Sequence, residues 1–193
     1  MSFFDFSGSP FMKKKSKKET KHRTGLKAFS TPLLIHMMID GHNIIHASSD
    51  LKKTLQQFGI DAAQGRLVEM ARIFHDMRGM RVTVVFDGKN HSTEAQYLTT
   101  DKLLAVVHTA QGVSADGFIE HYVAQNKNPD RIRVATHDLA LSALITGFGA
   151  YPLAAEDFLR NLEQAQKEQS QMLSRPNRSG AQKLGTIGDL LTD

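Results

Sequence analysis

Three aspartates stand where apolar runs stop. Asp40 follows LLIHMMI, Asp87 follows MRVTVVF, and Asp138 comes soon after the short run at Ile132 to Ala135. Two of them are followed at once by glycine, in Asp40-Gly41 and Asp87-Gly88. A fourth carboxylate comes from a helical stretch. Asp116 and Glu120 are four residues apart and share one face near a helix start at Ser114. Carboxylates gathered at one place raise one another's pKa and resist joint ionisation unless a cation relieves them. Oxygen ligands without His or Cys at metal spacing suit Mg²⁺ or Mn²⁺ rather than zinc. Such an ion activates water and offsets charge on a phosphodiester, so the pattern points to hydrolysis of a nucleic-acid backbone. Read one at a time, each residue has an ordinary role: Asp-Gly is turn chemistry, and an acid in the first turn of a helix suits its dipole. Four such groups in register with the elements are harder to explain that way.

Those elements follow from periodicity. Leu33–Ile39 reads as a buried first strand, and Asp61–Arg78 as an amphipathic helix with Leu67, Met70, Ala71, Phe74 and Met77 inward. Met80–Phe86 and Leu103–Thr109 read as the second and third strands, and Ser114–Gln125 as a helix capped by Ser114. A fourth strand is predicted over Ile132–Ala135, a helix over Leu139–Thr146, a short fifth strand over Gly149–Pro152, and a long helix from Ala154 to about Met172. Strands alternating with helices imply a mainly parallel sheet flanked by helices, an α/β fold, with ligands at the carboxyl ends of the strands. On this reading the aspartates share one rim.

Composition bounds the rest. The chain has 193 residues and 40% hydrophobic residues, enough for one core but short for two domains. Its organisation is expected to be a basic disordered arm over 1–30, a domain over 31–165, and a helix end with a flexible tail over 166–193. Without cysteine there is neither a disulfide framework nor a thiolate zinc site, and a cytoplasmic, soluble protein with no membrane partner is expected. Eight of the 24 Lys/Arg but only two of the 20 Asp/Glu lie in residues 1–30, so the arm is +6 while the remainder, with 16 basic and 18 acidic groups, is −2. The arm, with Lys13, Lys14, Lys15, Lys17 and Lys18 at its centre, would bring an anionic partner to an acidic pocket by salt-sensitive attraction. Asn43, three residues after Asp40, is placed to orient an aspartate or touch a phosphate. His42 and His137 flank the aspartates but form no HExxH-like pair and read as surface or supporting residues.

Taken in order, Ile39-Asp40-Gly41-His42-Asn43, Val84-Val85-Phe86-Asp87-Gly88, Ser114-Ala115-Asp116-Gly117-Phe118-Ile119-Glu120 and Ala135-Thr136-His137-Asp138 resemble the motifs of the YacP-like branch of the NYN domains, within the wider PIN-like nuclease group. The resemblance spans roughly Leu33 to Gln164. It implies a three-layer PIN-like fold and metal-dependent endonucleolytic cleavage of RNA, in a family linked to RNA processing or translation. It assigns Asp40, Asp116 and Asp138 to the metal with Asp87 beside them; the residues themselves add Asp87 and Glu120 as further candidate ligands, either of which would orient the attacking water, and Asn43 and Thr136 as candidate substrate contacts. RNA is the implied partner, with the ribosome as a second. The family often has Ser at His137 and a second acid at Gly117, which leaves a non-catalytic RNA- or ribosome-binding module as the alternative. A haloacid dehalogenase-type phosphatase would need a second Asp at the position of His42, and a receiver-like phosphoacceptor would need a lysine after a later strand. Both rank below.

Overall fold

A computed structural model of the chain describes residues 34–174. The basic arm expected over 1–30, with Lys13, Lys14, Lys15, Lys17 and Lys18, and residues 175–193 of the C-terminal segment lie outside the described residues. The order is β1 (His36–Asp40), α1 (Gly41–Ala47), α2 (Ser49–Phe58), α3 (Ile60–Arg78), β2 (Arg81–Asn90), β3 (Glu94–Tyr97), β4 (Leu104–Ala110), α4 (Ala115–Ala124), β5 (Ile132–Thr136), α5 (Leu139–Gly147), β6 (Tyr151–Ala154) and α6 (Ala155–Ser174), with a 3₁₀ turn at Pro129–Arg131.

The six strands lie in the order β3-β4-β2-β1-β5-β6. Every pairing is parallel except β3 with β4. The chain winds outward from β1 through β2 to β4, then crosses to β5 on the other side, so the topological switch lies beside β1, where α/β sheets bind ligands. Register brings the chemistry into line: Asp40 is level with Val85 of β2, and Ile39 with Ala135 of β5. The next residue of β5, Thr136, therefore arrives beside Asp40.

Side chains alternate between two cores. Met37, Ile39, Val82, Val84 and Phe86 pack under α1, α2, α3 and α6, where Leu67, Phe74, Phe158 and Leu162 are buried. Met38, Val85, Val107 and Val134 face the opposite way, against Ile119 and Val123 of α4 and Leu141 and Ile145 of α5. This is the three-layer α/β architecture, and strands buried on both faces account for their near-continuous apolar runs. His36, buried at the opposite end of β1 from Asp40, hydrogen-bonds Thr83 (2.9 Å) and Tyr122 (3.2 Å). Burial and then the charge of Arg81 push its pKa down to about 3, which keeps it neutral.

Two expectations change. The second strand does not stop at Phe86 but continues through Asp87-Gly88 to Asn90, with its register against β4 shifting between Phe86 and Asn90. Helices α1 and α2 and strand β3 were not expected, although Leu51, Leu55 and Phe58 of α2 stand at helical spacing. Helix α1 is seven residues long and starts on a glycine, and β3 is four mostly exposed residues, Glu94–Tyr97. Among the described residues no helix is long and apolar enough to cross a membrane.

Candidate active site

Each strand-end aspartate is held by the element that follows it. Asp40 caps α1: its Oδ1 accepts the Asn43 backbone N–H (3.2 Å) and its Oδ2 accepts the Asn43 side-chain amide (2.6 Å). Thr136 Oγ1 donates to the same Oδ2 at 3.4 Å. Asp40 is only 2% exposed, a buried acid that these donors keep soluble in the protein interior. Gly41 is required beside it, because a Cβ there would stand inside the fully buried ring of Phe86.

Asp138 caps α5 in the same way, its Oδ1 accepting the Leu141 N–H at 2.9 Å. Its own backbone N–H donates to Thr136 Oγ1 (3.0 Å), so one threonine hydroxyl joins Asp138 to Asp40, which lies 96 residues before that threonine. Asp87 accepts the Ala115 N–H on Oδ1 (2.6 Å) and faces His42 Nδ1 with Oδ2 (3.1 Å). A carboxylate only accepts, so His42 donates from Nδ1 and leaves Nε2 to take the Gln64 amide at 3.3 Å.

Asp116, in the first turn of α4, is the electrostatic focus. Burial, the hydrogen bond and charge of Asp40, and the charges of Asp138 and Asp87 raise its pKa from 3.8 to about 7. Its Oδ1 is the one buried side-chain polar atom among the described residues that lacks a hydrogen-bond partner. Three aspartates from distant stretches thus act on Asp116, with Asp40 in hydrogen-bonding reach of it.

The remaining sequence candidates divide. Asn43 and Thr136 are brought in, but as partners of Asp40. Glu120 is half-buried one turn beyond Asp116 and is not among the charges acting on it. His137 is exposed and pairs with Glu156 of α6 at 3.3 Å. The sequence reading missed the tie from Asp87 to the start of α4 and the place of Gln64, because both are contacts between elements with no local pattern. Among the described residues no three Asp, Glu or His side chains are grouped so as to hold an ion ready-made. Asp40 and Asp138 each give an oxygen to the cap of the helix that follows, and both oxygens of Asp87 are engaged by Ala115 and His42.

Comparison with known proteins gives a consistent result. A family profile described as YacP-like NYN domain matches residues 37–187. The chain is 31% identical over 129 residues to YacP of Bacillus subtilis (strain 168), itself described as uncharacterized, across 66% of this chain and 74% of that protein. The crystal structure of Rae1 (YacP) from Bacillus subtilis is similar with a TM-score of 0.58 at 28% identity, covering 71% of this chain and 78% of that one. A single-residue variant of Rae1 (YacP) gives the same TM-score and identity over 70% and 79%.

Proposed function

The chain belongs to the nuclease-like YacP-like NYN domain family, and from that premise we propose that it is a divalent-metal-dependent endoribonuclease, hydrolysing RNA phosphodiester bonds in the cytoplasm in RNA processing or translation. The observation that carries this reading is the Asp40–Asp116 pair, in which the Asp116 carboxyl keeps its proton up to about 7 and its own buried Oδ1 has no hydrogen-bond partner. A proton so held marks a place where a cation relieves the same repulsion. The donors fit Mg²⁺ or Mn²⁺, being all oxygen.

Asp40 and Asp116 would hold the ion, with Asp138 as third ligand. Bound there, the ion would neutralise the carboxylates, supply an activated water and offset charge on the phosphodiester. The chain's own part is placement. Asn43 and Thr136 fix the Asp40 carboxylate, the α5 cap fixes Asp138, and the α4 start fixes Asp116. Glu120 is the carboxylate left to orient the attacking water. The basic arm, through Lys13, Lys14, Lys15, Lys17 and Lys18, attracts RNA without reading its sequence.

A non-catalytic module binding RNA or the ribosome is the second reading. It is favoured by the absence, among the described residues, of a ready-made group of three ion-holding side chains and by Gly117 where a second helix acid would stand. One assay separates the two. Purified protein is incubated with structured and single-stranded RNAs in Mn²⁺, Mg²⁺ or chelator, alongside Asp40→Asn. The nuclease reading expects turnover that chelator and the substitution both abolish, with folding retained because Asn is also a good helix cap. Salt-sensitive RNA binding with no turnover in either metal would establish the second reading instead.

A further inference from the structure

Asp87 touches both segments that bring Asp40 and Asp116 together, and its bonds suit a brace better than a ligand. It lies where the register of β2 against β4 shifts, an irregularity of the kind that re-aims a side chain. The re-aimed Oδ1 takes the N–H of Ala115, the first residue of α4, at 2.6 Å. That amide is one of the donors a helix start leaves without an internal partner, and a short bond to a carboxylate is among the stronger ones available to it. Ser114 satisfies the Gly117 N–H at 3.1 Å, so the start of α4 is held from two directions.

The neighbouring residue grips the same segment from its other side. Gly88 N–H donates to Thr109 Oγ1 (3.1 Å), and that fully buried hydroxyl donates on to the Val113 carbonyl (2.6 Å). A Cβ at Gly88 would overlap the Thr109 carbonyl oxygen, so the approach of β2 to β4 depends on glycine here. Consecutive residues of β2 thus pin Val113 and Ala115, immediately before Asp116. The other oxygen of Asp87 faces His42, two residues after Asp40.

We propose that Asp87 is a positioning residue: through Ala115 and His42 it sets the separation of Asp40 and Asp116, and it does not itself hold the ion. This rests on the nuclease reading for its consequence, but the brace can be observed without metal. Asparagine retains an oxygen for Ala115, and its amide can donate to His42 once the imidazole shifts tautomer, so Asp87→Asn keeps the brace while removing the charge. Asp87→Ala removes both.

The test is amide exchange at Ala115 by NMR without metal, together with calorimetric titration of Mn²⁺. In Asp87→Ala the Ala115 amide is expected to exchange at least about tenfold faster, with Mn²⁺ affinity falling by about 10–100-fold, the usual effect of removing a residue that orients a ligand. Asp87→Asn is expected to keep both within about threefold of the unmodified chain. Thr109→Val, which keeps shape and every carboxylate, is expected to loosen the 113–115 segment and weaken Mn²⁺ in the same direction. The proposal is overturned if Asn loses Mn²⁺ as fully as Ala while Ala115 stays protected in both, since Asp87 is then a ligand. It is equally overturned if Ala115 exchange is unchanged in Asp87→Ala. If the unmodified protein binds no Mn²⁺, the nuclease reading fails by itself, and Ala115 exchange alone decides the brace.

Discussion

Asp116 releases its proton only near pH 7 because burial and three neighbouring aspartates disfavour its charge. The linkage has a definite sign. The folded pKa, about 7, lies above the unfolded value near 3.8, so the stabilising contribution of the protonated form is complete below about pH 4 and is lost as pH rises through 7. Urea denaturation of metal-free protein at pH 5 and pH 8 should therefore show Asp116→Asn gaining stability relative to the unmodified chain at the higher pH. A difference that does not change between the two pH values would contradict the assigned pKa. Thr136 yields a second prediction at this scale. Thr136→Val removes the hydroxyl shared by Asp40 and the Asp138 amide, and should weaken Mn²⁺ binding by about 10–100-fold in a calorimetric titration. Asp40, Asp116 and Asp138 stood out in the sequence because each lies at a strand end or helix start, and Asp87 because it closes an apolar run, although β2 continues past it. The work of Thr136 was not, because it depends on β5 lying beside β1 in a register that no local pattern encodes.

The elements position these residues through caps and close approaches, and this scale can be perturbed without touching a carboxylate. Gly88→Ala places a methyl against the Thr109 backbone, which cannot yield as a flexible side chain would. A loss of about 1–3 kcal/mol is expected on denaturant unfolding, as for other overpacked sites. Unchanged stability would mean that β2 and β4 are not held as closely as described. The long periodic helices α3 and α6 and the apolar strands were readable, since burial imposes their pattern. The extension of β2 past Asp87 was not, because Gly88-Lys89-Asn90 reads as a turn and becomes strand only through its neighbours. Helices α1 and α2 were less legible because α1 is short and starts on Gly41, which after Asp40 has the form of a turn, and α2 follows directly on Ser48, the cap it shares with α1.

Across the whole molecule, charge is divided between a +6 arm and a −2 remainder. On the proposed function, the arm recruits RNA and the acidic rim cleaves it, so deleting residues 1–30 should flatten the salt dependence of RNA binding while leaving turnover at saturating substrate nearly unchanged. With eight basic groups, the slope of log affinity against log salt should fall by up to about six on single-stranded RNA. An unaltered slope in fluorescence anisotropy would remove the arm from substrate capture. On the proposed function, Asp40 and Asp116 share one divalent cation. Its most direct measurement is the anomalous signal from crystals of the protein soaked in Mn²⁺. A peak within coordination distance of both carboxylates is expected, absent after Asp40→Asn. Saturating Mn²⁺ with no peak between them, or a peak that persists in that variant, would contradict it.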